Sequence, residues 1–225
     1  MHFFRPLAPI INKIVKLYTS RERKFSFQPT DHLSKKIIVK VKPGVFHPGL
    51  FMSTKILLKF VDGLNLNQKT FLELGAGTGI ISILAARNNA VVYASDISSL
   101  AVENIRINAD ENEVEINVLK SDLFDDFPKI IFDYLVINPP YYTKDSETEE
   151  QFAWYCGKNF EFFRKLFVSL SNFINQDSKV FMILSEVCDI EKIKSIGEEN
   201  YFTWKMVEAK SVWGEKNYIY KVVKK

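Results

Sequence analysis

Cysteine is scarce in this chain: Cys156 and Cys188 are the only two, 32 residues apart, with no CxxC pair and no histidine cluster beside them. That excludes a disulfide scaffold and a zinc module, and it fits a reducing, cytoplasmic setting. No apolar run reaches the roughly 18 to 20 residues of a membrane span. The start, MHFFRPLAPIINKIVKLY, has neither a contiguous apolar h-region nor a small-residue cleavage site. A soluble, unprocessed protein is expected. Nine glycines and eight prolines in 225 residues, without a repeat or a low-complexity tract, exclude collagen-like and disordered chains. What is present, 47% apolar and 25% charged residues, suffices for one core with at most a small appendage.

The net charge of +3 conceals an asymmetry. Residues 1–45 hold ten Lys and Arg against Glu22 and Asp31, a local +8, while the remaining 180 residues sum to −5. A basic segment of this kind meets a polyanion, an acidic protein face or a membrane surface, or else is a solvated face. The sequence therefore divides into a basic N-terminal extension, 1–45, and a main domain, 46–225.

Past residue 69, short β-branched runs alternate with helix-like stretches, the pattern of a mostly parallel sheet covered by helices. Strands are predicted at Thr70–Leu74, Val91–Ser95, Glu115–Lys120, Phe132–Ile137 and Lys179–Ser185. Helices are predicted at Gly79–Asn88, Ser98–Ala109, Asn159–Ile174 and Asp189–Glu199. Ser98 and Asp189 are capping residues, and Gly197 is a stop signal. FTWKMVEA and NYIYKVVK, split by WGEK, form an antiparallel hairpin. Before residue 69 the apolar residues between Phe3 and Tyr18 predict an amphipathic helix after Pro6 or Pro9, KKIIVKVK is a strand ending at Pro43-Gly44, and Ser53–Asp62 is a helix capped by Ser53 or Thr54. The polar stretch TKDSETEEQ (143–151) reads as a mobile loop.

FLELGAGTGIIS (71–82) places a strand, a glycine-rich turn and a helix start in succession. Glycine lets the backbone turn tightly and a ligand approach it. The sixth position counted from Gly75 is Ile80, so a dinucleotide fingerprint fails, and there is no GK[ST] for a phosphate loop. What remains is E-x-G-x-G-x-G, with Asp96 at the end of the next strand. This set resembles the S-adenosylmethionine site of class I methyltransferases. The resemblance implies an α/β, Rossmann-like fold: a mostly parallel seven-stranded sheet with a C-terminal antiparallel hairpin and a short N-terminal extension. It implies S-adenosyl-L-methionine as cofactor, held by the turn residues Glu73, Gly75, Ala76, Gly77 and Gly79. Asp96, followed by Ile97, takes the ribose hydroxyls, Asp122 the adenine amino group, and the Leu123 backbone lies near the ring. Thr54 and Asn138 complete the cofactor set. No metal is implied.

NPPY, Asn138 to Tyr141, ends the strand FDYLVI. Two prolines cannot continue a ladder, and they fix the backbone so that Asn138 and the Pro139 carbonyl point to one place. With the glycine turn, this resembles the class I methyltransferases that alkylate planar nitrogens: glutamine amides, N6 of adenine and N2 of guanine. The resemblance makes Asn138, Pro139, Pro140 and Tyr141 the catalytic set, with Tyr141 and Tyr142 on the substrate side. VKPGVFHPGLFMSTKILL (41–58) is similar to the segment before the glycine turn in protein-glutamine methyltransferases of the release-factor type, with Phe46, Pro48 and Thr54 at matching positions. Their Arg-Pro-x-Thr-Glu sequence is replaced here by Gly49, Leu50 and Phe51. His2, His32 and His47 lie near the N-terminus, and none is a catalytic candidate. Phe152, Trp154 and Tyr155 are either a substrate-side wall or core.

A protein glutamine side chain is the expected acceptor, and an adenine or guanine amino group in tRNA or rRNA is the alternative. A non-catalytic cofactor-binding protein is disfavoured by the intact NPPY. The partner is accordingly a protein with a target glutamine or a structured RNA.

Overall fold

A computed structural model describes residues 20–30, 35–49, 52–212 and 214–225. The helix expected after Pro6 or Pro9, His2, His32, Leu50, Phe51 and Trp213 fall outside the described residues. The strands are β1 (Arg23–Phe27), β2 (Ile37–Val41), β3 (Thr70–Leu74), β4 (Val91–Asp96), β5 (Asn117–Lys120), β6 (Tyr134–Ile137), β7 (Lys179–Ser185), β8 (Phe202–Val212) and β9 (Glu215–Lys224). The helices are α1 (Met52–Asp62), α2 (Ile80–Arg87), α3 (Ser99–Glu111), α4 (Glu161–Leu170) and α5 (Ile190–Glu199).

Seven strands form one sheet in the order β5-β4-β3-β6-β7-β9-β8. The first five are parallel, β9 is antiparallel to β7, and β8 is antiparallel to β9. The central strands read as apolar because both faces are covered: β6 is buried throughout, and β7 is buried from Val180 onward. On one face Phe163, Leu166 and Phe167 of α4 and Ile193 and Ile196 of α5 pack on Leu135, Met182 and Leu184. On the other, α1, α2 and β2 pack on Phe71, Val136 and Ile183. The Rossmann-like fold expected from the sequence is the one observed.

Several local expectations are corrected. The helix at 52–62 begins at Met52, so Ser53 and Thr54 lie inside its first turn rather than capping it. Gly197 does not end α5: the helix continues to Glu199 with Asn200 as its C-terminal cap. That glycine makes room for Trp204, whose ring would stand 2.9 Å from an added Cβ. Strand β5 starts at Asn117, where pairing with β4 begins. Helix α4 starts at Glu161, because Phe160 before it has φ 62°. Strand β1 was not anticipated. Its Phe25 and Phe27 alternate with Lys24 and Ser26, a five-residue pattern masked by flanking charge. Ser98 and Asp189 cap as expected, accepting from the backbone N–H groups of Ala101 and Lys192.

The β1–β2 hairpin is fastened to α3 by asparagines on one helix face. Asn104 Oδ1 accepts from Lys42 N at 3.0 Å, and its Nδ2 donates to the Lys40 carbonyl at 3.0 Å. Asn108 accepts from Lys40 N and donates to the carbonyls of Lys40 and Thr78, all within 2.9 Å. Asn112 donates to the Ile38 carbonyl at 2.8 Å. Lys40 pairs with Glu111 and Lys42 with Glu103 across the same junction. Asn108→Ala deletes three hydrogen bonds, one of them buried, and removes the side-chain partner of Lys40 N and of the Thr78 carbonyl while Asn104 still bonds the Lys40 carbonyl, at a cost of about 2 to 4 kcal/mol. Urea denaturation is expected to report that loss, and hydrogen exchange to report faster opening at Lys40 and Lys42. An unchanged exchange rate there would contradict the fastening role.

Candidate functional site

Strand order reverses at β3, which pairs with β4 on one side and β6 on the other. The crevice beyond the carboxyl ends of such strands is where open α/β sheets bind ligands. A cavity of about 440 Å³ opens there. Its wall includes the turn after β3 (Gly75, Ala76, Gly77), the ends of β3 and β4 (Glu73, Asp96, Ile97), Asp122 and Leu123 after β5, and Asn138, Pro139, Pro140, Tyr141 and Tyr142 after β6. Phe46, Pro48 and Thr54 close it from the N-terminal side. Every expected site residue lines this cavity except Gly79. An added Cβ at Gly79 would stand 3.0 Å from Ile105, and its φ is 75°, so it seats α2 against α3 instead of facing the crevice.

The glycine turn is held by the acid of the next strand. Asp96 Oδ2 accepts from Gly77 N and Oδ1 from Ser98 N, each at 2.9 Å. Burial pushes the Asp96 carboxyl above the usual range, while the N–H groups of Ser98, Gly77 and Ile97 pull it back. Gly77 has φ 55°, and an added Cβ would lie 3.9 Å from Phe46 Cβ, so the turn passes directly beneath that side chain. At Gly75 an added Cβ would meet nothing within 4 Å, because the turn faces open crevice. The Phe46 ring lies 5.2 Å from that of Trp154 at 55°, joining the 44–49 strap to the 142–157 segment over the cavity.

That second segment is the stretch read as a mobile loop. Glu149–Ala153 form a 3-10 helix, Tyr142 bridges to Tyr155, and Asp145, Glu149, Phe152, Trp154 and Tyr155 line the cavity. The aromatics at 152–155 thus stand on the wall rather than in the core.

Asn138 Nδ2 points to Thr54 Oγ1 at 3.5 Å. With the nitrogen engaged there, the amide oxygen is left to accept, and Pro139 and Pro140 contribute carbonyls but no N–H. Burial pushes the Tyr141 hydroxyl up, so it stays neutral. It likewise pushes the Cys156 and Cys188 thiols up, to about 11 and about 12, so neither is a thiolate near neutral pH. His47 is buried, with Nδ1 accepting from Gly49 N at 3.0 Å, and burial lowers its pKa.

Two partners went unread in the sequence. Ser82 donates its backbone N–H and hydroxyl to Glu73 Oε2; the separation of nine residues is a signal only once strand and helix are known to lie side by side. Lys165 reaches the wall from α4, and nothing local to it marks the position.

Glu73 is buried, and desolvation raises its pKa to about 8 despite the Ser82 bonds. Its stabilising contribution is complete below about pH 4.5, declines as the unfolded chain ionises, and is lost as pH rises through about 8. Unfolding measured from pH 5 to 9 is therefore expected to show wild type losing stability relative to Glu73→Gln, by an amount on the order of a few kcal/mol. A pH-independent difference between the two would contradict a protonated Glu73.

Comparison with known proteins agrees with this geometry. The family described as "MTS: Methyltransferase small domain" matches residues 36–156. A "Putative protein N5-glutamine methyltransferase" of Methanocaldococcus jannaschii is 32% identical over 172 residues, covering 72% of this chain and 84% of the relative. The tRNA1(Val) (adenine(37)-N6)-methyltransferase of Shewanella loihica is 30% identical over 112 residues; the match covers 46% of this chain and 46% of that protein, so the chain spans under half its length. A crystal structure of the ribosomal protein L11 methylase of Lactobacillus delbrueckii subsp. bulgaricus superposes with a TM-score of 0.65 at 21% identity, covering 88% of this chain and 91% of that one. Among the described residues no helix is long and apolar enough to cross a membrane. The chain belongs to the methyltransferase small domain family and is an S-adenosyl-L-methionine-dependent methyltransferase.

Proposed function

We propose that the protein methylates a planar nitrogen, and that the nitrogen is a glutamine side-chain amide in a protein. The observation that carries this reading is the placement of Asn138-Pro139-Pro140-Tyr141 on the wall of the crevice that holds the glycine turn, with the Asn138 nitrogen turned to Thr54 and its oxygen left to accept. The extent of the match to the archaeal relative named for glutamine supports it. So does the partial neutralisation of the basic extension: Lys40 and Lys42 face Glu111 and Glu103 of α3, which lowers the net positive charge at that junction. Residues 1–45 are assigned to partner docking and 46–225 to methyl transfer.

The residues present fit the cofactor. Asp96, fixed by Gly77 and Ser98, offers its remaining lone pairs to a vicinal diol, and Asp122, which lines the same cavity, is assigned to an amino group on a purine. Glu73, Ala76, Ile97 and Leu123 complete that side. Gly79 acts through the packing of α2 on α3. S-adenosylmethionine, when bound, supplies an electrophilic methyl on its sulfonium.

A primary amide nitrogen is a poor nucleophile because its lone pair is delocalised into the carbonyl. Asn138 Oδ1 and the Pro139 carbonyl accept its two N–H groups in an arrangement better met by a pyramidal nitrogen than by a flat one. That selectivity for the transition state contributes about 2 to 4 kcal/mol per partner in a dry site. Tyr141, neutral and half-buried, stacks on the planar group with Tyr142 beside it, at a ring separation of 5.3 Å. Phe46, Pro48 and Trp154 exclude water from above. No strong base is needed, because the nitrogen becomes acidic as it takes up the methyl group.

Asn138→Ala is expected to lose turnover by about 10²- to 10³-fold and to lose much less cofactor affinity, measured by calorimetry; equal loss of both would assign Asn138 to the cofactor and not to the acceptor nitrogen. The acceptor class is tested by transferring a labelled methyl group to a lysate and digesting with RNase or protease. Label released by protease and resistant to RNase supports glutamine. The opposite result rejects it in favour of an RNA amino group, the activity named for the Shewanella relative.

A further inference from the structure

The turn after β5 has a backbone that its own sequence does not favour. Leu123 is buried at φ 55°, a left-handed conformation that a branched side chain rarely adopts. Leu123 and Phe124 pack into the apolar core, and Phe124 stacks on Phe173 at 4.3 Å. Ser121 Oγ accepts from Asp126 N at 3.1 Å, and Asp125 N donates to the Asp122 carbonyl at 3.3 Å. These interactions fix the backbone and leave the Asp122 carboxylate to be oriented by something else.

Lys165 does this from α4, 43 residues away in the chain. Its ammonium lies 2.6 Å from Asp122 Oδ2 and 2.6 Å from Asp125 Oδ2. Asp122 and Lys165 line the cavity, and Asp125 does not. Two carboxylates three residues apart on one turn repel each other, and the lysine between them removes that repulsion. It also selects which oxygen of Asp122 is occupied. Among the described residues no other donor to this carboxylate is seen, so Oδ1 keeps its capacity to accept, on a residue that lines the cavity.

We propose that Lys165 is a positioning residue of the purine subsite: by spanning Asp122 and Asp125 it holds Asp122 with one oxygen presented to a 6-amino group, and so sets the preference for a 6-amino over a 6-oxo purine. This rests on the assignment of Asp122 to the purine amino group. A 6-amino group donates to the carboxylate, while a 6-oxo group presents lone pairs to it and is repelled. A lysine that merely stabilised the turn would alter affinity for both purines alike.

The test is equilibrium binding by calorimetry of S-adenosylhomocysteine and S-inosylhomocysteine to wild type, Lys165→Met, Lys165→Arg and Asp122→Asn. Lys165 has a partly exposed side chain, so the variants are expected to fold, and thermal unfolding of each checks this. Wild type is expected to prefer the adenosyl ligand by about tenfold or more. Asp122→Asn and Lys165→Met should both bring the preference close to unity, and Lys165→Arg should retain most of it. Collapse in Asp122→Asn with full preference in Lys165→Met overturns the role of Lys165 and leaves the Asp122 assignment standing. Full preference in Asp122→Asn overturns that assignment, and the inference with it. Equal weakening of both ligands in Lys165→Met makes the lysine structural and also overturns the proposal.

Discussion

The hairpin edge satisfied by asparagine side chains is the junction on which the site depends. A strand edge buried against a helix has N–H and C=O groups with nowhere to bond, because helix backbone offers none sideways. Asn104, Asn108 and Asn112 substitute for a neighbouring strand: each carboxamide carries both a donor and an acceptor, and spacing by four puts all three on one face. Asn108 also reaches the Thr78 carbonyl in the glycine turn, so one side chain ties the hairpin and that turn together. The strap that follows β2 is thereby delivered over Gly77 with Phe46 above it.

From that junction the crevice is closed by parts distant in the chain. Parallel strands β3 and β6 end side by side and diverge, leaving the turn at Gly75 and the prolines after Asn138 on opposite walls. The Phe46–Trp154 pair joins the strap to the 142–157 segment. Charge is opposed by desolvation on both sides of the turn. Burial raises both acids, Glu73 to about 8 against the two bonds from Ser82, and Asp96 against the backbone N–H groups of Ser98, Gly77 and Ile97. Two acids of similar appearance in the sequence thus differ in the donors that oppose the same desolvation.

Much of the sheet was legible because its cause is local. Thr70–Leu74 and Lys179–Ser185 match to the residue: the second is a short apolar run, VFMIL, between polar residues, and the first ends at the glycine-rich turn that stops it. Ser98 and Asp189 announced their helices by capping chemistry. Gly197 misled for an instructive reason: it looks like a stop signal, but its small size is demanded by Trp204 on another element. The asparagines of α3 read as ordinary helix surface until β2 is placed against them. The acidic stretch 143–151 reads as a solvated loop, yet its bridge at Tyr142 and Tyr155 and the ring contact at Trp154 bring it to the cavity.

The sequence by itself determined the order of the motifs along the chain, and their resemblance to class I methyltransferases implied the fold class and the cofactor. The motifs are legible because particular residues impose backbone geometry where they stand: a glycine turn after a strand, an acid one strand later, two prolines ending another. Only the tertiary structure decided which of those residues share a cavity, that Gly79 packs instead of facing it, that burial raises the pKa of Glu73, and that Lys165 meets Asp122. Each of these turns on burial or on a partner tens of residues away, and desolvation and long-range pairing leave no local mark on a chain.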